Sequence, residues 1–293
     1  MRTDRKKGVA VVGAGVLIIS VDALLVRLAA TGSWNVVFWR GLLIFLSLSV
    51  VLGVRRGPSW IRELARSGRA GALSALLFGL GGTLFVSSVM YTRVANTVVI
   101  ISSAPLFAAL FTRAFLREPV PPRTWAAIGA GLGGVILVFS GSLGGDGLPG
   151  DAIALLAACN VAGNLTVLRR HGGLDRTALV CVGGLIMAAI ALPFARPLDL
   201  GPQSYLALGI MGLVQMPLAL ILIAESTRYL PSPEVSLFIL VETVLSPVWV
   251  WLVLGEEPPA RTLAGAGLIV PTLAIHSWVG RREEMAESKG EGG

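Results

Sequence analysis

The sequence predicts an all-α membrane protein of ten transmembrane helices, arranged as two inverted five-helix repeats. Three observations predict it. Hydrophobic residues make up 54% of the 293 and charged residues only 14%, against roughly 25% charged in a soluble domain; mean hydropathy is +0.78. Ten apolar runs of about 20 residues, the length that crosses a bilayer core, follow one another with short polar breaks. A charged loop motif occurs twice at one constant spacing.

The runs lie at 8–29, 34–54, 70–90, 94–112, 122–141, 148–168, 177–195, 203–226, 232–254 and 259–279. The first follows Arg2, Arg5, Lys6 and Lys7 and resembles a signal peptide, with Leu28-Ala29-Ala30 as a weak cleavage site. The apolar runs that follow favour a retained first helix. Between the second and third runs, Trp60, Ile61, Leu64 and Ala65 stand among arginines in 55–69, a pattern that predicts a short amphipathic helix on the membrane surface. Several later runs carry Gly, Pro and small residues, which membrane helices tolerate. Pro193, Pro197 and Pro202 crowd the junction of the seventh and eighth runs. The polar tail 281–293 is expected to be disordered.

Lysine and arginine give the orientation. With the N-terminus inside, 19 of them fall on the cytoplasmic side and three (Arg93, Arg196 and Arg261) on the other; Arg27 and Arg40 lie within runs. Both termini are therefore expected in the cytoplasm. The positive charge reads as a topology signal, which argues against nucleic acid as a partner.

The repeat pairs 116–129, LREPVPPRTWAAIG, with 254–267, LGEEPPARTLAGAG. Seven of fourteen positions match without gaps, among them Glu118 with Glu256 and Arg123 with Arg261. One copy joins runs four and five, the other runs nine and ten. Five helices is an odd number, so the halves, 1–143 and 144–280, run oppositely. Inverted repeats are a common plan of secondary transporters, with the substrate site near the midplane between them.

Phe38-Trp39-Arg40 opens the second run. Ser103-Ala104-Pro105-Leu106-Phe107-Ala108-Ala109-Leu110 leads to Glu118, and the stretch 241–252, VETVLSPVWVWL, leads to Gly255-Glu256. These stretches resemble the EamA-type branch of the drug/metabolite transporter superfamily over nearly the whole chain. The resemblance implies ten helices around a central cavity with alternating access, and substrates such as amino acids, nucleobases, other metabolites and toxic compounds, often exported. Many relatives carry a proline after the glutamate of the ninth helix. This chain has Thr243 there, while its repeat partner Pro105 keeps the proline.

Ionisable residues within spans are costly and default to functional candidates. Asp22 and Arg40 both sit roughly 10 Å below the outer edge at 1.5 Å per residue, so they are expected to pair or to line one cavity. Glu242, mid-span, suits a substrate amine or a coupling proton. Asn160 and Asn164 stand four apart and share a helix face; Asn164 precedes Arg169 by the spacing of Asp22 before Arg27. Trp39 is a cavity candidate or an interfacial anchor, and Gln215 and Asn96 are further cavity candidates. Glu118, Arg123, Glu256 and Arg261 are expected to organise loops at helix ends, by Glu–Arg pairing.

Other signals point away from chemistry. Cys159 and Cys181 form no CxxC, and His171 and His276 lie far apart, so no metal and no cofactor is expected. Residues 129–134 fit GxGxxG but lack the preceding strand; Gly129 and Gly133 instead suit close helix packing. No phosphate-binding loop or hydrolase motif is present, and Asp22 stands as the only aspartate clearly within a span, one carboxylate short of an aspartyl protease. The expected protein is a non-enzymatic exporter of small metabolites or drug-like compounds in a bacterial cytoplasmic membrane, with lipids and a small-molecule substrate as partners. Uptake or exchange of sugar-linked or phosphorylated metabolites, a lipid flippase, and a homodimeric assembly stay open.

Overall fold

The computed structural model describes residues 2–117, 122–143, 145–226, 229–230 and 232–290. Every regular element among them is helical. In hydrocarbon a backbone must satisfy its own polar groups, and a helix does so within one segment.

The first run forms α1 (Arg2–Ser20) and α2 (Asp22–Leu28), broken at Val21, whose φ of −84° and ψ of 0° leave the helical region. The second is α3 (Ser33–Arg56). The arginine-rich linker forms the surface helix α4 (Ser59–Arg66), with Trp60 and Leu64 against Ile44, Leu48 and Leu52 and Ile61 exposed. After α5 (Gly68–Tyr91) the fourth run divides into α6 (Val94–Ser102), α7 (Ala104–Phe111) and a π-helical turn, Thr112–Leu116. The division follows from Pro105, which has no N–H to continue the ladder. Ser102 and Ser103 donate their hydroxyls to the carbonyls of Val99 and Ile100, at 2.7 and 2.6 Å.

Then come α8 (Pro122–Ser142), α9 (Leu148–Arg170) and α10 (Arg176–Ala191). Asp175 caps α10, accepting from the N–H groups of Thr177 and Ala178. The seventh run was expected to reach 195, but α10 ends at Ala191, two residues before Pro193. Then α11 (Pro202–Gly209), a π-helical turn over Ile210–Gln215 and α12 (Met216–Ser226) make up the eighth run. The last two elements are α13 (Ser232–Leu254) and α14 (Ala260–Gly290). The tail was expected to be disordered, but α14 continues through Gly290; the Arg, Glu, Met, Ala and Lys of 281–289 are strong helix formers.

By length and composition, seven helical segments among the described residues suffice to cross a membrane, and three apolar stretches are shorter: Arg176–Ala191, Phe238–Leu254 and Ala260–Ile275. Large apolar side chains such as Val50, Ile136, Leu206 and Leu252 are exposed on the outside of the bundle, where lipid is the solvent they suit. The main packed pairs are α3 with α10, α5 with α9, α8 with α14, α5 with α10 and α1 with α12; α9 also packs on α6 and α7, and α13 on α1 and α6.

Glycines allow two of these pairs to close. A Cβ on Gly41 of α3 would stand 2.5 Å from the Gly184 carbonyl of α10, and one on Gly184 would stand 2.8 Å from that of Gly41. On α8 the closest approach is at Gly134; of the expected pair, Gly133 meets only the Leu268 side chain of α14, at 3.6 Å. Gly134 and Gly265 of α14 meet backbone to backbone, a Cβ on either standing 3.0 or 2.8 Å from the other's carbonyl. Gly129 meets nothing within 4 Å, because the face α8 turns to α14 lies one residue further round.

Candidate functional site

A cavity of about 340 Å³ lies among α1, α2, α3, α5, α9 and α13, and brings Asp22, Arg40, Asn160, Asn164 and Glu242 together. Its remaining wall is apolar, including Ile19, Ile44, Leu77, Phe78, Phe85 and Met187. This is the lower end of the size range of small-molecule sites, with the usual apolar lining and few polar groups.

The break in the first run sets Asp22 at the cavity. Around it, Trp249 Nε1 donates to Ser20 Oγ at 2.9 Å, and Gln215 Nε2 donates to the Ile18 carbonyl at 3.2 Å. Gln215 is thus a brace behind the cavity wall. Arg40 Nη1 donates to both oxygens of Asp22, at 2.9 and 2.7 Å, and both residues are buried. The guanidinium also lies 5.4 Å from the Phe85 ring centroid, a cation–π arrangement that helps to hold it in place.

Glu242 faces this pair from α13, and among the described residues its carboxylate makes no hydrogen bond or ion pair. Asn160 Nδ2 donates to the Leu77 carbonyl at 2.7 Å, and Asn164 Oδ1 accepts from Ser74 Oγ at 2.6 Å. Each amide therefore has its other end available to a ligand.

Asn164 also lines a second cavity of about 440 Å³, which shares Phe78 and Leu165 with the first and reaches Arg176 and Thr177. The two chambers stand side by side across these residues, the second on the side of the arginine-rich end. The other end of the bundle carries an open cavity of about 860 Å³, lined by Arg27, Thr92, Asn96, Ser142 and Glu256, and beneath it lies a network that composition did not reveal. Asp151, fully buried in the first turn of α9, accepts from Thr92 Oγ1, Asn96 Nδ2 and Ser142 Oγ, and Thr262 Oγ1 donates to Asn96 Oδ1. Asp22 is therefore not the only aspartate inside a helix of the bundle. Asn96 belongs to this network rather than to the Asp22–Arg40 cavity.

Trp39 does not line the cavity. Its Nε1 donates to the Pro197 carbonyl at 2.9 Å, and its ring meets those of Phe38 and Tyr205 edge-on. The expected pairing of Glu256 with Arg261 is also absent. Glu256 Oε2 lies 3.2 Å from Arg27 Nη2, its Oε1 accepts from the Val94 N–H at 2.8 Å, and Arg261 donates to the Ser140 carbonyl. The free N–H groups at the start of α6 attract the carboxylate, so the motif ties the end of α13 to α6 and α2. Glu118 lies outside the described residues, as does the side chain of Arg123.

The model of the EamA-like transporter family matches residues 6–140 and again 148–278. A riboflavin transporter of Rhizobium johnstonii is 28% identical over 225 residues, 73% of this chain and 70% of the relative. A Bacillus subtilis protein named uncharacterized transporter YdfC is 24% identical over 181 residues, 59% of this chain and 58% of its own length. A solved crystal structure overlays with a TM-score of 0.62 at 21% identity, covering 95% of this chain and 99% of that one; this likeness concerns the fold alone.

Proposed function

This chain belongs to the EamA-like transporter family, and we propose that it is a secondary transporter that exports small metabolites or drug-like compounds by alternating access. The observation that carries the proposal is the cavity in which Asp22, Arg40, Asn160, Asn164 and Glu242 converge, with a second chamber against its wall toward the arginine-rich end. The ten apolar runs act as ten spans in two inverted units, 1–143 and 144–280, with both termini in the cytoplasm and the chain in a bacterial cytoplasmic membrane.

The helix pairing supports that symmetry. The first run packs on the eighth and the third on the sixth; the third also packs on the seventh and the second on the eighth, the fourth on the sixth and the first on the ninth; and second and seventh, fourth and ninth, and fifth and tenth pair directly. Exchanging the two halves maps this set onto itself. Asp22 and Asn164 lie equally far into the two matched segments, as repeat partners would. On this reading the cavity faces the cytoplasm and the Asp151 network closes the outer side. A phosphorylated cargo fits less well, because Arg40 is already held by both oxygens of Asp22.

The test is efflux from cells and from reconstituted vesicles loaded with amino acids, nucleobases, toxic analogues and riboflavin, the last because of the relative's name. At least one compound should move in a saturable way and move about tenfold more slowly in Asn164→Ala, the scale of a lost buried hydrogen bond. No flux of any compound, with no resistance phenotype, would overturn the proposal.

A further inference from the structure

We propose that the cavity is built for a small organic monocation, an ammonium carried on an apolar body, which sits on Glu242 and alternates there with a proton. This rests on reading the cavity as the transport site. Asp22 and Arg40 cancel each other, with both carboxylate oxygens engaged by one guanidinium nitrogen. Among the described residues Glu242 forms no ion pair, and the cation that faces it, Arg40, is engaged by both oxygens of Asp22. An uncompensated charge among apolar walls is costly, and a buried charge is normally paired. Two occupants relieve that cost: a proton on the carboxylate, or a cation beside it.

The surroundings select the shape of the cation. From α2 and α3 the charged groups facing Glu242 are Asp22 and Arg40; α9 presents the neutral amides Asn160 and Asn164. From α1, α5, α10 and α12 come apolar groups, such as Ile19, Phe78, Met187 and Met216, and α6 presents Ile101. The remaining neighbour of α13, α14, contributes nothing to the lining. An ammonium on Glu242 can donate a second hydrogen bond to Asn160 Oδ1, whose Nδ2 is already committed to the Leu77 carbonyl. Its apolar body lies on the hydrophobic wall, toward Asn164 and the second chamber. An anion of the same shape meets two carboxylates and one guanidinium that is already paired. Because proton and ammonium exclude each other at one carboxylate, each cation leaving on that site is exchanged for one proton, and the exchange moves no net charge.

The experiment uses the purified full chain in nanodiscs and three probes of nearly equal body: 2-phenylethylammonium, 2-phenylethanol and 3-phenylpropanoate. Calorimetry should find the ammonium bound about tenfold or more tighter than either isostere, the scale of a charged hydrogen bond. Its affinity should fall as the pH is lowered, since protonation removes the partner. Glu242→Gln should lose about that factor and the pH dependence with it, while Glu242→Asp keeps the preference for the cation. Equal or tighter binding of the alcohol or the carboxylate to the wild-type chain overturns the proposal without any variant. An ammonium affinity unchanged in a folded Glu242→Gln chain also overturns it. Flux of riboflavin or another neutral solute that ignores Glu242→Gln would remove the cation site and leave the transporter reading intact. Retained ammonium binding with no flux of any solute would support the cation site and remove the transporter reading.

Discussion

Asp22 and Arg40 lie in a part of the bundle where neither charge would be stable alone. Removing one partner of a buried pair leaves the other uncompensated, typically at about 3–5 kcal/mol, whereas replacing both with apolar groups is often neutral. Asp22→Asn is therefore expected to lower the thermal midpoint and the yield of folded protein strongly. Adding Arg40→Met should recover most of that loss of stability; if it does not, the pair is not what the site requires. That the two residues meet was legible in the sequence, because both stand at one depth in consecutive antiparallel helices. The direction of Trp39 was not. Neighbours on a helix of 3.6 residues per turn point about 100° apart, so Arg40 faces the cavity while Trp39 reaches Pro197. Trp39→Phe should cost about 1 kcal/mol of stability for the lost hydrogen bond and leave flux unchanged. The role of Asp151 is not legible in the sequence for another reason. An aspartate at a helix start is an ordinary capping residue, and only the fold surrounds it with Thr92, Asn96 and Ser142.

At the level of elements, the two halves differ where a proline differs. Pro105 divides α6 from α7 at Ser103, while α13 continues unbroken through Thr243 past Glu242. The site thus has a broken helix on one side and, on the other, a continuous one that carries the acid and has Pro247 inside it. The helix contacts make a sharper prediction. Gly41 meets the α10 backbone, so Gly41→Ala forces α3 and α10 apart, at about 1–3 kcal/mol. Gly129→Ala, on an open face, should be neutral or stabilising by up to about 1 kcal/mol. Thermal unfolding of the two variants in one detergent decides between these outcomes. The GxxxG pattern identified α8 as a close-packing helix but missed the glycine of closest approach, since spacing does not give the rotation of a helix about its axis.

The whole molecule is closed differently at its two ends. One end carries the Asp151 network, the Arg27–Glu256 contact and the Glu256 carboxylate on the Val94 N–H. The other holds the second chamber, lined by Ser74 and Thr177. In a cysteine-free background, Thr177→Cys should react with a bulky thiol reagent added on the arginine-rich side. Ser142→Cys, within the network and buried, should stay protected from the opposite side. Adding Asp151→Asn should weaken the closure and raise the labelling of Ser142→Cys. Protection that survives Asp151→Asn would mean that packing alone closes that end.

The sequence by itself determined the helical class, the order of the apolar segments, the amphipathic α4 and the polar residues that belong within the bundle. These depend on composition, period and the cost of charge in lipid, all of which are local. It also carried the family, through the loop motif and the stretches around Pro105 and Glu242. Only the tertiary structure decided that five of the six candidate residues share one cavity while Trp39 turns away. It also decided that Glu256 reaches Arg27 rather than Arg261, and that Gly134 rather than Gly129 meets α14. Those outcomes depend on the rotation of each helix and on which groups from distant segments compete for one partner. Packing among all the helices sets both, and no stretch of chain contains it.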